Sequence, residues 1–99
     1  MSLKRNKQAD QLFRAILSLR SVEECYQYFE DVCTVKEVLT IAQRLEVARM
    51  LRSGMSYQQT IAQTGASSAT ISRVKRCLDY GDGGYAMVLD RLADAEEGA

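Results

Sequence analysis

The chain has 99 residues, with 13 lysines and arginines, 13 aspartates and glutamates, and no histidine, proline or tryptophan. This length suits a single domain over residues 1–99, since domains commonly hold about 100–200 residues, and a hydrophobic fraction of 46% excludes a disordered chain. Histidine is the commonest general base near neutral pH, so its absence argues against an enzyme. No apolar run is long enough to predict a membrane span.

The cysteines indicate a reducing compartment. There are three, Cys25, Cys33 and Cys77, with no Cys-x-x-Cys pair and no histidine to complete a zinc site. An odd number argues against a disulfide framework, and we expect neither a metal nor a cofactor. The basic start of the chain has no apolar segment behind it, so we predict no signal peptide and a cytoplasmic location.

Apolar spacing and helix-capping patterns predict six helices. An apolar stripe indicates the first over about residues 6–19. Capping boxes, in which Ser or Thr is followed three positions later by Glu or Gln, predict the starts of the second, third and fourth. These boxes are Ser21 with Glu24, Thr34 with Glu37, and Ser56 with Gln59.

The remaining boundaries follow from glycines and serines. The third helix extends to about Arg52, and the short fourth helix stops at Gly65. The fifth runs from Ser67 to about Asp79, and the last from about Tyr85 to Ala95. No segment alternates as a strand would, so the predicted fold is all-α.

The apolar faces predict a homodimer. The third helix is apolar on more than one face, so we expect it to be buried on two sides. Together with the stripes on the first two helices, this is more apolar surface than 99 residues comfortably bury alone. A dimer with interlocked helices would cover it, and we favour that over a compact monomeric bundle.

The zero net charge hides a strong asymmetry. Residues 1–39 carry six basic and six acidic groups, whereas residues 40–78 carry six basic groups against Glu46 alone. Residues 79–99 reverse the sign, with six acidic groups against Arg91. A basic stretch of this kind is typical of a surface that faces nucleic acid, although solvated helix faces would show it too.

Residues 56–79 predict a helix-turn-helix. A short helix, a turn at Gly65 and a second helix with a small polar start lie inside the basic stretch. Small side chains would let the second helix enter a major groove about 12 Å wide. We expect bases to be read by Ser68, Ala69, Thr70, Ser72 and Arg73, and phosphates to be contacted by the helix start at Ser67 and by Arg49, Arg52, Tyr57, Lys75 and Arg76.

Two of these stretches resemble a known family. GASSATISR at 65–73 looks like the turn and recognition helix of the tryptophan repressor, and TVKEVLTIAQR at 34–44 looks like its matching stretch. The ending GYAMVLDRL at 84–92 is similar to the YerC/YecD branch of Trp-repressor-like proteins. The resemblance implies an intertwined all-α homodimer, whose two recognition helices read half-sites about one DNA turn apart.

The resemblance also implies an effector pocket. The repressor holds tryptophan between two arginines, helped by a threonine, and these positions match Arg44, Arg73 and Thr34. Where the family has a glycine that leaves room for the ligand, this chain has Val74, and where it has a serine, this chain has Cys77. We therefore expect no tryptophan corepressor, and prefer no effector over another small molecule.

The sequence thus predicts a dimeric, sequence-specific protein that binds double-stranded DNA, most simply a bacterial transcriptional regulator. Two alternatives stay open. The helix pair could dock on a protein partner, or the chain could be an accessory factor resembling the helix-turn-helix domains of replication initiators and transposases. In the first alternative the basic residues would be ordinary surface charge, whereas the accessory factor would still bind DNA.

Overall fold

The computed structural model describes residues 3–97 and, within them, shows six α-helices and no strand. The prediction of six helices in an all-α fold is therefore confirmed. In chain order they are α1 (Lys7–Leu17), α2 (Val22–Val32), α3 (Val35–Arg52), α4 (Tyr57–Thr64), α5 (Ser68–Tyr80) and α6 (Gly84–Glu97).

The chain forms two compact units, Met1–Val38 and Leu39–Ala99, with the boundary inside α3. The first contains α1, α2 and the first turn of α3. The second contains the rest of α3 with α4, α5 and α6. The single domain over residues 1–99 stays a prediction.

Capping interactions explain where several helices begin. At α3 the Thr34 hydroxyl accepts from the Glu37 amide at 3.1 Å, and the Glu37 carboxylate accepts from the Thr34 amide at 2.8 Å. At α2 the Ser21 hydroxyl accepts from the Glu24 backbone amide as expected. The Glu24 carboxylate, however, accepts from the backbone amide of Arg20 rather than from that of Ser21. Each cap satisfies helix N–H groups that have no partner inside the helix.

In the first unit the apolar stripes are present but are only partly covered. Neither α1 nor α2 contains a buried residue. Leu17 is 81% exposed. The other large apolar side chains exposed on these two helices are Leu12, Phe13, Val22, Tyr26 and Val32.

The second unit has a core. Buried side chains from four segments meet there: Val47 and Ala48 of α3, Ala66 of the turn, Ile71 and Val74 of α5, and Leu89 of α6. Leu45, Leu51, Leu78 and Tyr85 pack around them. Burying one such aliphatic side chain contributes about 1.5–3 kcal/mol, so this cluster holds α5 and the turn before it against α3 and α6.

The two halves of α3 differ. In its second half, buried or half-buried residues lie on more than one side, as expected; they are Leu45, Val47, Ala48, Met50 and Leu51. In its first half the expectation is wrong for the single chain, because Leu39 is 63% exposed and Ile41 57% exposed. Periodicity marks these residues as apolar but does not say which surface covers them.

Candidate nucleic-acid interface

The helix pair α4–α5 is joined by a tight turn. The Ser56 hydroxyl accepts from the Gln59 amide at 3.1 Å, while the Gln59 side chain accepts from the Ser56 amide at 3.0 Å, so α4 begins with a complete capping box. It ends at Gly65, whose φ of 72° and ψ of 6° are left-handed. A residue without Cβ adopts this conformation at little cost, and the chain can therefore reverse within three residues.

Threonine hydroxyls continue the hydrogen bonding through the helix into the turn. The Thr60 hydroxyl donates to the Ser56 carbonyl at 2.8 Å, and the Thr64 hydroxyl donates to the Thr60 carbonyl at 2.7 Å. Thr64 also accepts from the Ala66 amide at 3.1 Å, and the Gln43 amide group on α3 donates to the Thr64 carbonyl at 3.1 Å. These bonds fix the turn both internally and against α3.

Sequence reasoning missed this network. Ser56, Thr60 and Thr64 are spaced four residues apart, which is the spacing at which a threonine hydroxyl can reach back to a carbonyl one turn earlier. That signal was available. The bond from Gln43 was not, because it joins residues 21 apart in the chain.

The fifth helix has one face in the core and one in solvent. Its N-cap is Ser67, whose hydroxyl accepts from the Thr70 amide at 3.1 Å. Ile71 and Val74 are buried. The predicted contact residues Ser68, Ala69, Ser72, Arg73 and Arg76 are exposed, so the structure brings them together on the solvent side of one helix.

Thr70 and Tyr57 are placed less simply. Thr70 is half-buried, and its hydroxyl oxygen accepts from the Ser67 hydroxyl at 3.1 Å, which leaves its own proton able to donate. Tyr57 is the first residue of α4 and is exposed. Both side chains are accessible, at the starts of the two helices.

Three of the predicted phosphate-binding residues make ion pairs within the chain. Arg49 pairs with Glu46, and its Nε lies 2.8 Å from the carboxylate. Arg52 lies 2.9 Å from Asp90 on α6, and Lys75 lies 3.1 Å from Asp79. The hydrogen bond with Glu46 and then the charge of that residue raise the pKa of Arg49, and the charge of Glu96 adds to this.

The remaining cations of residues 40–78 differ. Among the residues whose side chains the structure describes, no carboxylate lies within ion-pair distance of Arg44, Arg73 or Arg76. Arg73 and Arg76 are exposed on α5, and Arg44 is half-buried on α3. The charge most accessible to an outside anion is therefore on α5.

The five residues of the expected effector pocket fall into two groups. Thr34 lies in the first unit, and its hydroxyl caps α3. The other four lie in the second unit, where Val74 is buried in the core and Cys77 is exposed. The Val74 side chain is packed among Val47, Ala48 and Leu89.

Tyr85 on α6 is a further residue that interacts with this group, although the sequence did not assign it to the effector pocket. Burial raises the pKa of Tyr85, and the negative charge of Cys77 in its thiolate form raises it further, while the positive charges of Arg44 and Arg73 act in the opposite direction. The tyrosine hydroxyl thus lies within electrostatic range of three of the expected pocket residues. Its ring packs on the core that contains Val74.

Two other features bear on the class of site. Among the side chains of residues 3–96, no cluster of three histidine, cysteine, aspartate or glutamate residues could hold a metal ion. Within the same residues, no helix is both long and apolar enough to cross a bilayer.

Comparison with known proteins places this architecture in a family. The sequence profile of the family described as Trp repressor protein matches residues 7–93. The uncharacterised Bacillus subtilis (strain 168) protein YerC is 59% identical over 92 residues, which cover 93% of this chain and 88% of that protein.

Two crystal structures share the fold. A Trp repressor candidate from Staphylococcus aureus superposes with a TM-score of 0.88 at 50% identity, over 90% of this chain and 89% of the other. A Trp-repressor-like protein from Eubacterium eligens ATCC 27750 gives a TM-score of 0.88 at 52% identity, over 90% and 92%. With a profile match over most of its length and relatives at these identities, the chain belongs to the Trp repressor family.

Proposed function

We propose that this chain is a sequence-specific double-stranded DNA-binding protein that acts as a bacterial transcriptional regulator. The observation that carries the proposal is the division of α5, which buries Ile71 and Val74 while it exposes a small polar first turn followed by Arg73 and Arg76. A helix of this kind can enter the major groove, because small side chains at its start let the backbone approach the bases. Membership of the Trp repressor family supports the same function.

Within this proposal, different residues read the bases and bind the phosphates. The first turn of α5, with Ser68, Ala69, Thr70 and Ser72, supplies hydroxyls and methyl groups to base edges. Arg76, exposed one turn beyond, contacts phosphate, and Arg73 lies between the two. Arg49, Arg52 and Lys75 contribute less than their charge suggests, since each already has a carboxylate partner.

The functional unit that we propose is a homodimer. The exposed apolar residues of α1, α2 and the first half of α3 cover several helix faces, and monomeric soluble proteins rarely expose contiguous apolar patches of more than a few hundred Å². A second copy of the chain is the occupant that suits these faces. Two subunits would present two α5 helices to half-sites about 34 Å apart.

We propose that DNA binding needs no tryptophan. The buried Val74 side chain fills space beside Arg73, where the family's ligand pocket would need room, and Cys77 is a weaker hydrogen-bonding group than serine. The half-buried Tyr85 ring packs against the same core. Another small-molecule effector is the alternative, and an effector screen would find it.

The test is fluorescence anisotropy with labelled duplex DNA. The gene's own upstream region and a scrambled duplex are compared at 50 and 200 mM salt, with and without L-tryptophan. We expect tighter binding to the upstream duplex, a steep loss with salt because phosphate contacts release counterions, and no effect of tryptophan.

Each arm can fail separately. Equal affinity for both duplexes would refute sequence specificity, and dependence on tryptophan would refute the argument from Val74. No binding to either duplex at 50 mM salt would refute the DNA-binding function. The alternative function would then be a protein-interaction module, whose affinity for its protein partner need not fall with salt.

A further inference from the structure

The basic residues of the second unit are divided between paired and unpaired cations. Of the six in residues 40–78, three make ion pairs: Arg49 with Glu46, Arg52 with Asp90, and Lys75 with Asp79. Arg52 is held further by a hydrogen bond to the Ala86 carbonyl at 3.4 Å. Both exposed, unpaired cations of the described residues in this stretch, Arg73 and Arg76, lie on α5.

Two of these ion pairs join the acidic segment of the sequence to its basic segment. Asp79 and Asp90 belong to the acidic segment 79–99, and both reach cations of the basic segment. Glu96 of α6 also acts on Arg49, since its charge helps to raise the pKa of that arginine. Helix α6 thus carries negative charge along the end of α3 that holds Arg49 and Arg52.

A carboxylate and a DNA phosphate compete for the same cation. Binding to DNA of arbitrary sequence depends almost entirely on phosphate contacts, whereas binding to a preferred site gains also from base contacts. Occupying a cation internally therefore lowers the affinity for DNA of any sequence by about the same factor, and for arbitrary sequence this phosphate contribution is nearly the whole affinity.

Resting on the DNA-binding function proposed above, we propose that Glu46, Asp79 and Asp90 limit sequence-independent DNA binding. They act without touching DNA. Each occupies a cation that would otherwise bind phosphate of any sequence, and together they leave Arg73 and Arg76 of the proposed recognition helix as the exposed, unpaired cations of residues 40–78 among the described residues.

The test uses two substitutions with matched controls in the full chain. Asp79→Asn and Asp90→Asn each remove one paired carboxylate, while Asp82→Asn and Asp94→Asn make the same change at neighbouring carboxylates that form no ion pair among the described residues. Circular dichroism melts confirm that all four fold. Anisotropy is then measured as a function of salt on a random duplex and on a duplex selected from a random pool by the unsubstituted protein.

We expect each paired-site variant to bind the random duplex about 1.4- to 5-fold more tightly, the range that corresponds to an exposed ion pair. The slope of log affinity against log salt should steepen by about 0.9 for each freed cation that gains a phosphate. The affinity for the selected duplex should rise by a similar factor, because a phosphate contact carries no sequence information, and the controls should change less than the paired-site variants.

Unchanged random-duplex affinity in Asp79→Asn and Asp90→Asn, with selected binding intact, would overturn this inference and leave the DNA-binding function standing. Equal changes in the controls would overturn it as well, because net charge alone would then explain the effect. If the unsubstituted chain and all four variants bind no duplex at 20 mM salt, both the inference and the proposed function fail.

Discussion

Gly65 offers a test of how the turn between α4 and α5 is held. Its φ is positive, yet a Cβ added there would meet no atom within 4 Å. Gly65→Ala therefore changes the backbone preference and creates no clash. A left-handed conformation costs a residue with Cβ about 1–2 kcal/mol, and part of this is offset because alanine restricts the unfolded chain. We expect a net loss of about 1 kcal/mol.

The matched control is Gly84→Ala. Gly84 also has open space around its Cβ position, but it is the first residue of α6 and has no positive φ. The same chemical change should therefore stabilise the protein, by about 0.4–1 kcal/mol. Gly65→Asn should fall between Gly65→Ala and the unsubstituted chain, because asparagine tolerates the left-handed region better than alanine.

The assay is thermal unfolding followed by circular dichroism at one fixed protein concentration, since a dimer's midpoint depends on concentration. A change of 1 kcal/mol moves the midpoint by about 4–8 °C in a chain of this size. The two alanine variants should therefore shift in opposite directions. A stabilised Gly65→Ala, or equal losses in both, would refute the reasoning from backbone conformation.

Three further predictions concern the other surfaces. Leu17→Glu should shift the chain from dimer to monomer in sedimentation experiments, whereas Gln58→Glu, which adds the same charge at an exposed α4 position, should not. If Leu17→Glu stays dimeric, the dimer interface does not include Leu17. Thr70→Ala should reduce the ratio of the affinity for preferred DNA to that for random DNA, and Arg76→Ala should weaken both affinities by the same factor. If both variants lose affinity equally for the two duplexes, the residues do not have separate roles. The pKa of Tyr85 is raised above 10.0 in the folded chain, so stability is complete below pH 10 and should fall as pH rises through the folded pKa. Tyr85→Phe should flatten that alkaline loss in urea titrations, and an unchanged slope would contradict it.

Local structure was largely predictable from sequence. The six helices and the caps at Ser21, Thr34, Ser56 and Ser67 follow from short patterns whose partners lie three or four residues apart. The inward face of α5 followed from the spacing of its apolar residues. Each of these depends on geometry within one helix.

Partners distant in the chain were not predictable. The bond from Gln43 to Thr64 and the pair Arg52–Asp90, whose residues are 38 apart, exist only once the helices have packed. Charge alone therefore predicts that Arg52 is a phosphate ligand. For the same reason the sequence identifies Leu39 and Ile41 as apolar but does not show whether they lie in a core or on an exposed surface.

The first turn of α5 is held in place without help from its own solvent-facing side chains. The Ser67 cap, the buried Ile71 and the bonds of Thr64 fix the helix, while Ser68, Ala69 and Ser72 make no side-chain hydrogen bond within residues 3–96 and take no part in the core. Exposed substitutions of this kind usually change stability by less than about 0.5 kcal/mol. Substitution at these three positions is therefore nearly neutral for folding, so under the proposed function the recognition preference can change there without loss of the fold.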